Sequence, residues 1–378
     1  GSITLGSNTL TSGGSDASTT FSGVISGTNG NIIKAGTGTL TLSGANTYTG
    51  TTTINAGDLT VSGSLHDSTA VTIASGADYN VNASDTVASI EGAGNIVIAS
   101  SQTLTAGDGN DKTLSGVISG AGNYIKAGSG TQTLTGNNSY TGSTTISAGL
   151  LKIIRDDPTS YLAATSGFTG PGNLTIESSG DDFTADIVTG THVQLAGTAL
   201  GNLIIGKTGN ARQIDLSSDI TTTGTQTYNG PVRLVGGDRT VSTTNSNVIF
   251  ASTVNSDGTQ RALTVTNGTG DTTFSGAIGG SAPVKSLTIT SDQLTAGAIT
   301  LNGALTATLG GSSSITGVIA NGASTANLVK AGSGTLTLSA SNTYTGTTQV
   351  SAGTLTVSGS GRLSDSTAVT VDSGAVYN

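Results

Sequence analysis

The chain contains three closely similar copies of one stretch, which align without a gap. The copies are KAGTGTLTLSGANTYTGTTTINAGDLTVS from Lys34, KAGSGTQTLTGNNSYTGSTTISAGLLKI from Lys126 and KAGSGTLTLSASNTYTGTTQVSAGTLTVS from Lys330. A chain that repeats itself this closely is constrained to a repeat architecture, in which each unit packs against its neighbours. The equivalent positions, for which we predict structural roles, are Lys34, Lys126 and Lys330; Asn46, Asn138 and Asn342; Tyr48, Tyr140 and Tyr344; and Gly57, Gly149 and Gly353.

Each copy alternates small polar and aliphatic residues, which is the pattern of short strands with one buried face. In the first copy Leu40 and Leu42 point to one side, while Thr39 and Thr41 point to the other. Glycine and asparagine separate the runs and supply the positive φ angles of tight corners. The sequence therefore predicts many short strands joined by sharp corners, and no window has the spacing and caps of a helix.

Strands this short bury little surface in a single sheet, but stacked coils bury a continuous column of aliphatic side chains. Three strand runs per coil predict coils of roughly 20–25 residues, about 15–18 of them in the chain. A β-sandwich array has the same local pattern, although it needs aromatic core residues, and only 3% of this chain is aromatic. We therefore predict an all-β fold, a β-solenoid that forms a single elongated rod.

The three copies resemble the passenger-associated repeat of Gram-negative autotransporters, whose consensus is close to KxGxGTLTLSGxNTYTGxTTIxAGTL. The resemblance implies a right-handed parallel β-helix that is carried to the cell surface. Residues 173–296 contain different runs, such as GNLTIESSGDDFT and TQTYNGPVRLVGGDRTV, which resemble the strand repeats of large exported proteins of the filamentous-haemagglutinin type. Both resemblances imply a Gram-negative exported adhesin, and neither implies a particular ligand.

Composition narrows the choice of function. Lys plus Arg is 13 and Asp plus Glu is 22, so the net charge of −9 provides no basic face for nucleic acid. There is no Cys, which excludes a disulfide framework, and no apolar run of the length that spans a membrane. Because Met and a signal peptide are both absent, we expect the chain to be a window onto a longer polypeptide; the alternative is a short protomer that stacks end to end.

The repeats predict five segments along the chain. Residues 1–80 form one repeat unit, and residues 81–154 form a second, shorter one. Residues 155–172 contain two of the four prolines and are predicted to form an irregular loop or bulge. Residues 173–296 continue the same solenoid with haemagglutinin-like strands, and residues 297–378 repeat the unit of 1–80.

The chain offers few candidates for chemistry, and we predict no catalytic residue and no cofactor. His66 and His192 are far apart in the sequence, and the paired acids Asp156-Asp157 and Asp181-Asp182 are typical of solvated turns. The lysines of the repeat are predicted to have an architectural role, with their charge solvated at a corner.

Two other sites have alternative interpretations. Asp108 and Asp111 resemble part of a calcium-binding nonapeptide, but that motif binds calcium between consecutive copies and only one is present, so a polar turn without metal is predicted. Outward threonines on stacked coils are the pattern of an ice-binding solenoid, and also of any β-solenoid surface.

These observations predict a non-catalytic structural and adhesive segment of a large surface-exposed or secreted bacterial protein. The alternative is the stalk of an autotransporter passenger whose enzyme or toxin part lies outside this chain; ice binding is a third possibility. The expected partners are other copies or further repeats along a fibre axis and a host-cell, matrix or carbohydrate receptor, with no nucleic acid and no membrane insertion. The expected location is extracellular or on the cell surface.

Overall fold

The computed structural model describes residues 1–157, 167–195 and 200–378, and these contain strands and turns but no helix. Two compact units are present. Of the described residues, the first unit comprises 1–155, 167–177 and 194–195, and the second comprises 156–157, 178–193 and 200–378. No helix in the described part of the chain is long and apolar enough to cross a membrane. Half of the loop predicted at 155–172, residues 158–166, lies outside the described residues.

The first unit is built from short strands, most of them three to five residues long. They are β1 (Ser2–Thr4), β2 (Thr9–Ser12), β3 (Thr19–Phe21), β4 (Val24–Gly27), β5 (Asn31–Lys34), β6 (Thr39–Leu42), β7 (Thr47–Tyr48), β8 (Thr52–Ile54), β9 (Gly57–Val61), β10 (Ala70–Ile73), β11 (Ala77–Val81), β12 (Asp85–Val87), β13 (Ser89–Gly92), β14 (Asn95–Ile98), β15 (Thr103–Ala106), β16 (Lys112–Leu114), β17 (Ile118–Gly120), β18 (Asn123–Lys126), β19 (Thr131–Leu134), β20 (Thr144–Ile146), β21 (Leu150–Ile154), β22 (Phe168–Thr169) and β23 (Asn173–Glu177).

The second unit has strands of the same kind. They are β24 (Ile187–Val188), β25 (Leu203–Ile205), β26 (Ile214–Leu216), β27 (Ile220–Thr222), β28 (Gln226–Tyr228), β29 (Val232–Leu234), β30 (Arg239–Thr243), β31 (Val248–Phe250), β32 (Val254–Ser256), β33 (Leu263–Thr266), β34 (Thr272–Phe274), β35 (Leu287–Ser291), β36 (Leu294–Ala296), β37 (Ile299–Leu301), β38 (Ala304–Leu309), β39 (Ser312–Ile315), β40 (Ile319–Asn321), β41 (Asn327–Ala331), β42 (Thr335–Leu338), β43 (Thr348–Val350), β44 (Thr354–Val357), β45 (Val369–Val371) and β46 (Val376–Tyr377).

Each strand of the first unit pairs in parallel with the strand one coil earlier or later. We name three faces by their sheets: face 1 contains β2, β5, β8, β10, β13, β16, β19, β21 and β23. Face 2 contains β3, β6, β9, β11, β14 and β17, and face 3 contains β12, β15, β18, β20 and β22. The strands β1, β4 and β7 form a further parallel sheet.

The second unit has the same arrangement. One sheet stacks β25, β28, β31, β34, β36, β39, β42, β44 and β46, and a second stacks β27, β30, β33, β35, β38, β41, β43 and β45. The third contains β24, β26, β29 and β32, then the pair β37 and β40, joined through single bridges at Ile278. All of these pairs are parallel.

The length of a coil follows from the register of these sheets. On face 1 of the first unit, paired residues are 19 to 23 positions apart, as in Val71 with Ile90 and Leu150 with Asn173. In the nine-stranded sheet of the second unit they are 19 to 24 apart, as in Thr295 with Ser314 and Val248 with Thr272. The prediction of parallel coils of this size in an all-β solenoid is confirmed for each unit; right-handedness stays a prediction.

The core of each unit is a set of columns of inward side chains. On face 2 of the first unit one column is formed by Leu40, Leu59, Tyr79, Ile96 and Ile118, all of them buried. The threonines between the inward residues point outward, as the period of two predicts. The side chains of a column lie one strand spacing apart, so each coil completes the burial of the coil before it.

Aromatic residues contribute more to this core than their low frequency suggests. In the second unit the rings of Tyr228, Phe250 and Phe274 stack on successive coils, with centroids 5.1 and 4.8 Å apart and nearly parallel planes. The registers place them at equivalent positions of β28, β31 and β34. Such stacked pairs add to the stabilisation from buried area by about 0.5–1.5 kcal/mol each.

Candidate functional site: the polar corners of the three repeats

The lysine that opens each copy of the repeat is buried at a corner. The ammonium group of Lys34 donates to the carbonyl oxygens of Ala35 and Gly36, both at 2.8 Å, and to that of Ala56 at 3.0 Å. Because Ala56 lies on the following coil, the lysine joins two coils. The same three bonds are formed by Lys126 with Ala127, Gly128 and Ala148, and by Lys330 with Ala331, Gly332 and Ala352.

The prediction that the charge of these lysines is solvated is therefore wrong. Lys34 and Lys126 are 1% exposed, and Lys330 is fully buried. Burial lowers the pKa of each of the three lysines below its usual range, and nearby acids partly oppose this at Lys34 (Asp58 and Asp16) and Lys126 (Asp108 and Asp111). The backbone carbonyls replace water as the acceptors of the charged group, which is why the cation is tolerated there.

The asparagine of the repeat joins three successive coils. The Oδ1 atom of Asn46 accepts the backbone N–H of Ile25, one coil earlier, at 3.0 Å. Its Nδ2 atom donates to Gly44 on its own corner and to Ser64 one coil later. Asn342 repeats this set with Ile319, Ala340 and Arg362, and Asn138 accepts the N–H of Ile118. Asn46 and Asn342 thus hold both neighbouring coils as well as their own turn, and Asn138 holds the coil before it.

The tyrosine of each copy is buried and bonded to a threonine four residues later. The hydroxyl groups of Tyr48 and Thr52 are 2.5 Å apart, and both residues are fully buried. The pairs Tyr140–Thr144 and Tyr344–Thr348 have the same contact. Burial raises the pKa of each of these tyrosines, so the phenols stay protonated and serve as core side chains with one satisfied hydroxyl.

A fifth set of equivalent positions was missed in the sequence. It is the asparagine three residues before each lysine, namely Asn31, Asn123 and Asn327. The Oδ1 atom of Asn31 accepts both the backbone N–H and the hydroxyl of Thr51, one coil later; the other two contact Ser143 and Thr347 in the same way. The four-residue runs NIIK, NYIK and NLVK carried this signal, with each asparagine just upstream of the stretch that defines the copies.

The glycine of the repeat lies where its corner passes close to the backbone of the coil before it. Gly149 has φ of +66°, and a Cβ atom there would lie 2.5 Å from the carbonyl oxygen of Gly130. Gly57 and Gly353 have the same conformation and equally short contacts with the coil before. Only a residue without a side chain fits at a positive φ this close to another backbone.

One buried hydroxyl just before the second copy, that of Tyr124, has no hydrogen-bond partner among the described residues. Its ring lies edge-on to Tyr140 at 6.5 Å. We expect Tyr124→Phe to leave stability unchanged or to raise it by about 1 kcal/mol, because an unsatisfied buried hydroxyl is removed. Tyr140→Phe, the matched control, should lower stability by about 1–3 kcal/mol, since it deprives Thr144 of its partner. Urea unfolding of both variants measures this, and an equal loss in both would contradict the assignment.

The first two copies lie on different faces of the first unit. Lys34 ends β5 on face 1, where its column continues through Ile54, Ile73 and Gly92. Lys126 ends β18 on face 3, where it pairs with Ala106 and Ile146. The corner of the repeat therefore occurs at different edges of the coil, so its role depends on its own contacts and not on one particular face.

The other candidates for chemistry have structural contacts. The Nδ1 atom of His66 is 2.8 Å from the hydroxyl of Ser68, and that of His192 accepts the N–H of Val188 at 3.1 Å. Asp156 accepts the N–H and hydroxyl of Ser179, and Asp182 accepts the N–H of Ala211. Both aspartates thus bind a neighbouring coil.

The carboxylates of the calcium candidates are also bonded to the chain. Asp108 accepts the backbone N–H of Asn110 at 2.7 Å and its side-chain amide at 3.0 Å, which is an Asx turn. Asp111 accepts the N–H of Thr131 on the next coil at 2.7 Å, and this bond lowers its pKa. In the part of the chain that the structure describes, no group of three or more His, Cys, Asp or Glu residues could hold a metal ion.

Comparison with known proteins addresses the three copies directly. The model of the passenger-associated-transport-repeat family matches residues 32–61, 125–153 and 328–357, which contain the lysine, tyrosine and glycine positions and the asparagines Asn46, Asn138 and Asn342. No curated protein matches the chain, and no solved structure matches it. These three stretches are therefore passenger-associated-transport-repeats, the repeats of autotransporter passengers, and here they form part of parallel β-solenoid units.

Proposed function

We propose that this chain is a structural and adhesive segment of a large exported bacterial protein, displayed on the outer side of the cell, with no catalytic role of its own. One observation supports this most: the passenger repeats occur as corners whose polar groups hold neighbouring coils together. Residues that could serve catalysis, such as the lysines and Asp156, are used for packing in the same way. We therefore expect the chain to act through contacts of its surface with partners, and not through an active site.

The proposed partners are further repeats of the same protein and a receptor on a host cell, in the matrix or on a carbohydrate. Antibodies raised against the chain should label intact cells of the natural host, and protease added to intact cells should remove the signal. Beads coated with the purified chain should bind host cells or matrix saturably, and soluble chain should compete. Labelling only after permeabilisation would contradict the location, and bead binding no greater than with an unrelated β-solenoid would contradict the adhesive role.

A second candidate function, ice binding, is favoured by one specific feature of the second unit. Four successive strands of one sheet place outward hydroxyl residues in two columns. The pairs are Thr240 with Ser242, Thr264 with Thr266, Thr288 with Thr290, and Thr306 with Thr308. Their rows are about 4.8 Å apart, and such a regular, uncharged array of hydroxyl and methyl groups can order water.

The growth of ice crystals in the presence of the chain tests this candidate. If the chain binds ice, the freezing temperature of ice in its presence should lie below the melting temperature. Thr288→Lys, at the centre of the array, should abolish this temperature gap. The control Thr113→Lys, on an exposed position of the first unit, should leave the gap unchanged. Ordinary ice growth with the unaltered chain would rule the candidate out.

A further inference from the structure

A buried carboxylate lies in the first unit, in the coil after the first passenger repeat. Asp85 begins β12 and is 4% exposed. Its Oδ1 atom accepts the backbone N–H of Leu65, one coil earlier, at 3.0 Å, and that of Thr86 at 3.1 Å. Its Oδ2 atom is 2.6 Å from the hydroxyl of the fully buried Tyr79. Asp85 therefore joins the coil of Leu65 to its own.

The bond to Leu65 is the one that the repeat asparagines form. Asn46 accepts the N–H of Ile25 from the coil before, as Asp85 accepts that of Leu65. The amide of Asn46 also donates to Ser64 on the coil after, and an ionised carboxylate has no proton to donate. Asp85 thus has the accepting role of the asparagine in a group that carries a charge when it is deprotonated.

The surroundings of Asp85 do not balance that charge with a cation. The sequence has no Lys or Arg between Lys34 and Lys112. The titratable groups that face Asp85 are the phenols of Tyr79 and Tyr48 and the carboxylate of Asp67. Burial, opposed by the hydrogen bonds from Tyr79, Leu65 and Thr86, raises the pKa of Asp85 to about 6.

Both protonation states of Asp85 fit the observed contacts. In the ionised form Oδ2 accepts the hydroxyl of Tyr79; in the neutral acid Oδ1 still accepts the N–H of Leu65, and the roles of Oδ2 and the Tyr79 hydroxyl in their 2.6 Å bond are reversed. Only the ionised form places an unbalanced charge in the core, where desolvation is costly. The hydrogen bonds from Leu65, Thr86 and Tyr79 favour the ionised form, but the cost of burying its charge is greater, so Asp85 takes up a proton more readily in the folded junction than in the opened chain.

We propose that Asp85 makes the junction between the coils of Leu65 and Asp85 a pH-responsive element, closed most firmly in acid and opening more readily at neutral pH. The device is independent of the proposed adhesive function, because it rests on contacts inside the first unit. In a repeat protein each coil contacts chiefly its neighbours, so one junction can open without the whole unit unfolding.

The sign of the effect follows from proton linkage. The folded junction binds its proton more tightly than the opened chain, because the pKa of Asp85 is about 6 when folded and about 3.8 when exposed. The junction is therefore most stable below the exposed value, and this stability is lost as the pH rises to the folded value. Between about pH 4.5 and about pH 7.5, the equilibrium constant for opening should rise about 25-fold.

Hydrogen exchange of the Leu65 amide measures this constant, after correction for the intrinsic pH dependence of exchange. We expect the 25-fold rise in the unaltered chain and none in Asp85→Asn, which keeps the acceptor for Leu65 but cannot ionise. Asp78→Asn is the matched control, since Asp78 lies on β11 and its carboxylate contacts Asn95 on the next coil; it should keep the rise.

The amide of Tyr124, which donates to Ser143, reports on the rest of the unit and should show no such rise. A Leu65 amide that exchanges equally at both pH values in the unaltered chain would overturn the proposal. An equal rise at Leu65 and Tyr124, or a rise that persists in Asp85→Asn, would do so as well.

Discussion

Replacing Lys126 by methionine is expected to lower the free energy of unfolding of the first unit by about 3 to 5 kcal/mol. Methionine fills much of the same space but leaves the carbonyl oxygens of Ala127, Gly128 and Ala148 without the ammonium donor. Each buried acceptor that loses its donor costs about 1–3 kcal/mol. Because Ala148 lies on the following coil, the loss should appear as weaker coupling between two coils and not only as a looser turn.

The matched control is Lys152→Met in the same unit. Lys152 forms an ion pair with Glu177 at 2.7 Å, and its side chain is 31% exposed. Exposed pairs of this kind contribute about 0–1 kcal/mol, so its loss should be small. Urea unfolding followed by circular dichroism compares the two variants. If the two changes lowered stability equally, the carbonyl contacts of Lys126 would not have the role assigned here.

The strands were predictable from the sequence because their signal is local. Leu40 and Leu42 alternate with threonine, and that period of two is enough to give the buried face. The parallel stacking was predictable for a related reason: strands of three to five residues have no core of their own, so they must stack.

The role of the lysines was not predictable, because their acceptors are backbone carbonyls on another coil. A lysine followed by alanine and glycine is typical of an exposed corner, and its side chain says nothing about Ala56, 22 residues later. Arg239 of the second unit shows the same limit: its guanidinium group donates to the carbonyls of Leu216, one coil earlier, and Val235. Outside the passenger repeats, no motif identifies it.

The aromatic column was hidden by composition. Tyr228, Phe250 and Phe274 look isolated in a chain that is 3% aromatic, and the structure shows them stacked because their spacing equals one coil. The low aromatic content argues against a β-sandwich, but it does not indicate where the few aromatic residues lie. In a solenoid, spacing matters more than frequency, since residues one coil apart become direct neighbours.

Gly149→Ala is the second change for which a large effect is expected, with a loss of stability of about 3 kcal/mol. Two costs combine. An L-residue at φ of +66° costs about 1–2 kcal/mol, and the new methyl group would lie 2.5 Å from the carbonyl oxygen of Gly130 and 2.6 Å from that of Gly128. Forcing an extra methyl group into a packed site costs about 1–3 kcal/mol more, because the backbone atoms on the previous coil cannot turn away as a side chain would.

Gly76→Ala separates these two costs. Gly76, in the same unit, has φ of +80°, but a Cβ atom there would have no atom within 4 Å. The Gly76→Ala variant should therefore lose only the stability that the positive φ angle costs, about 1–2 kcal/mol. The difference between the free energies of unfolding of the two variants then gives the cost of the steric overlap between two coils at the corner of the passenger repeat. Equal losses would mean that the glycine is needed for its φ angle alone, and that the coils can separate at this corner without cost.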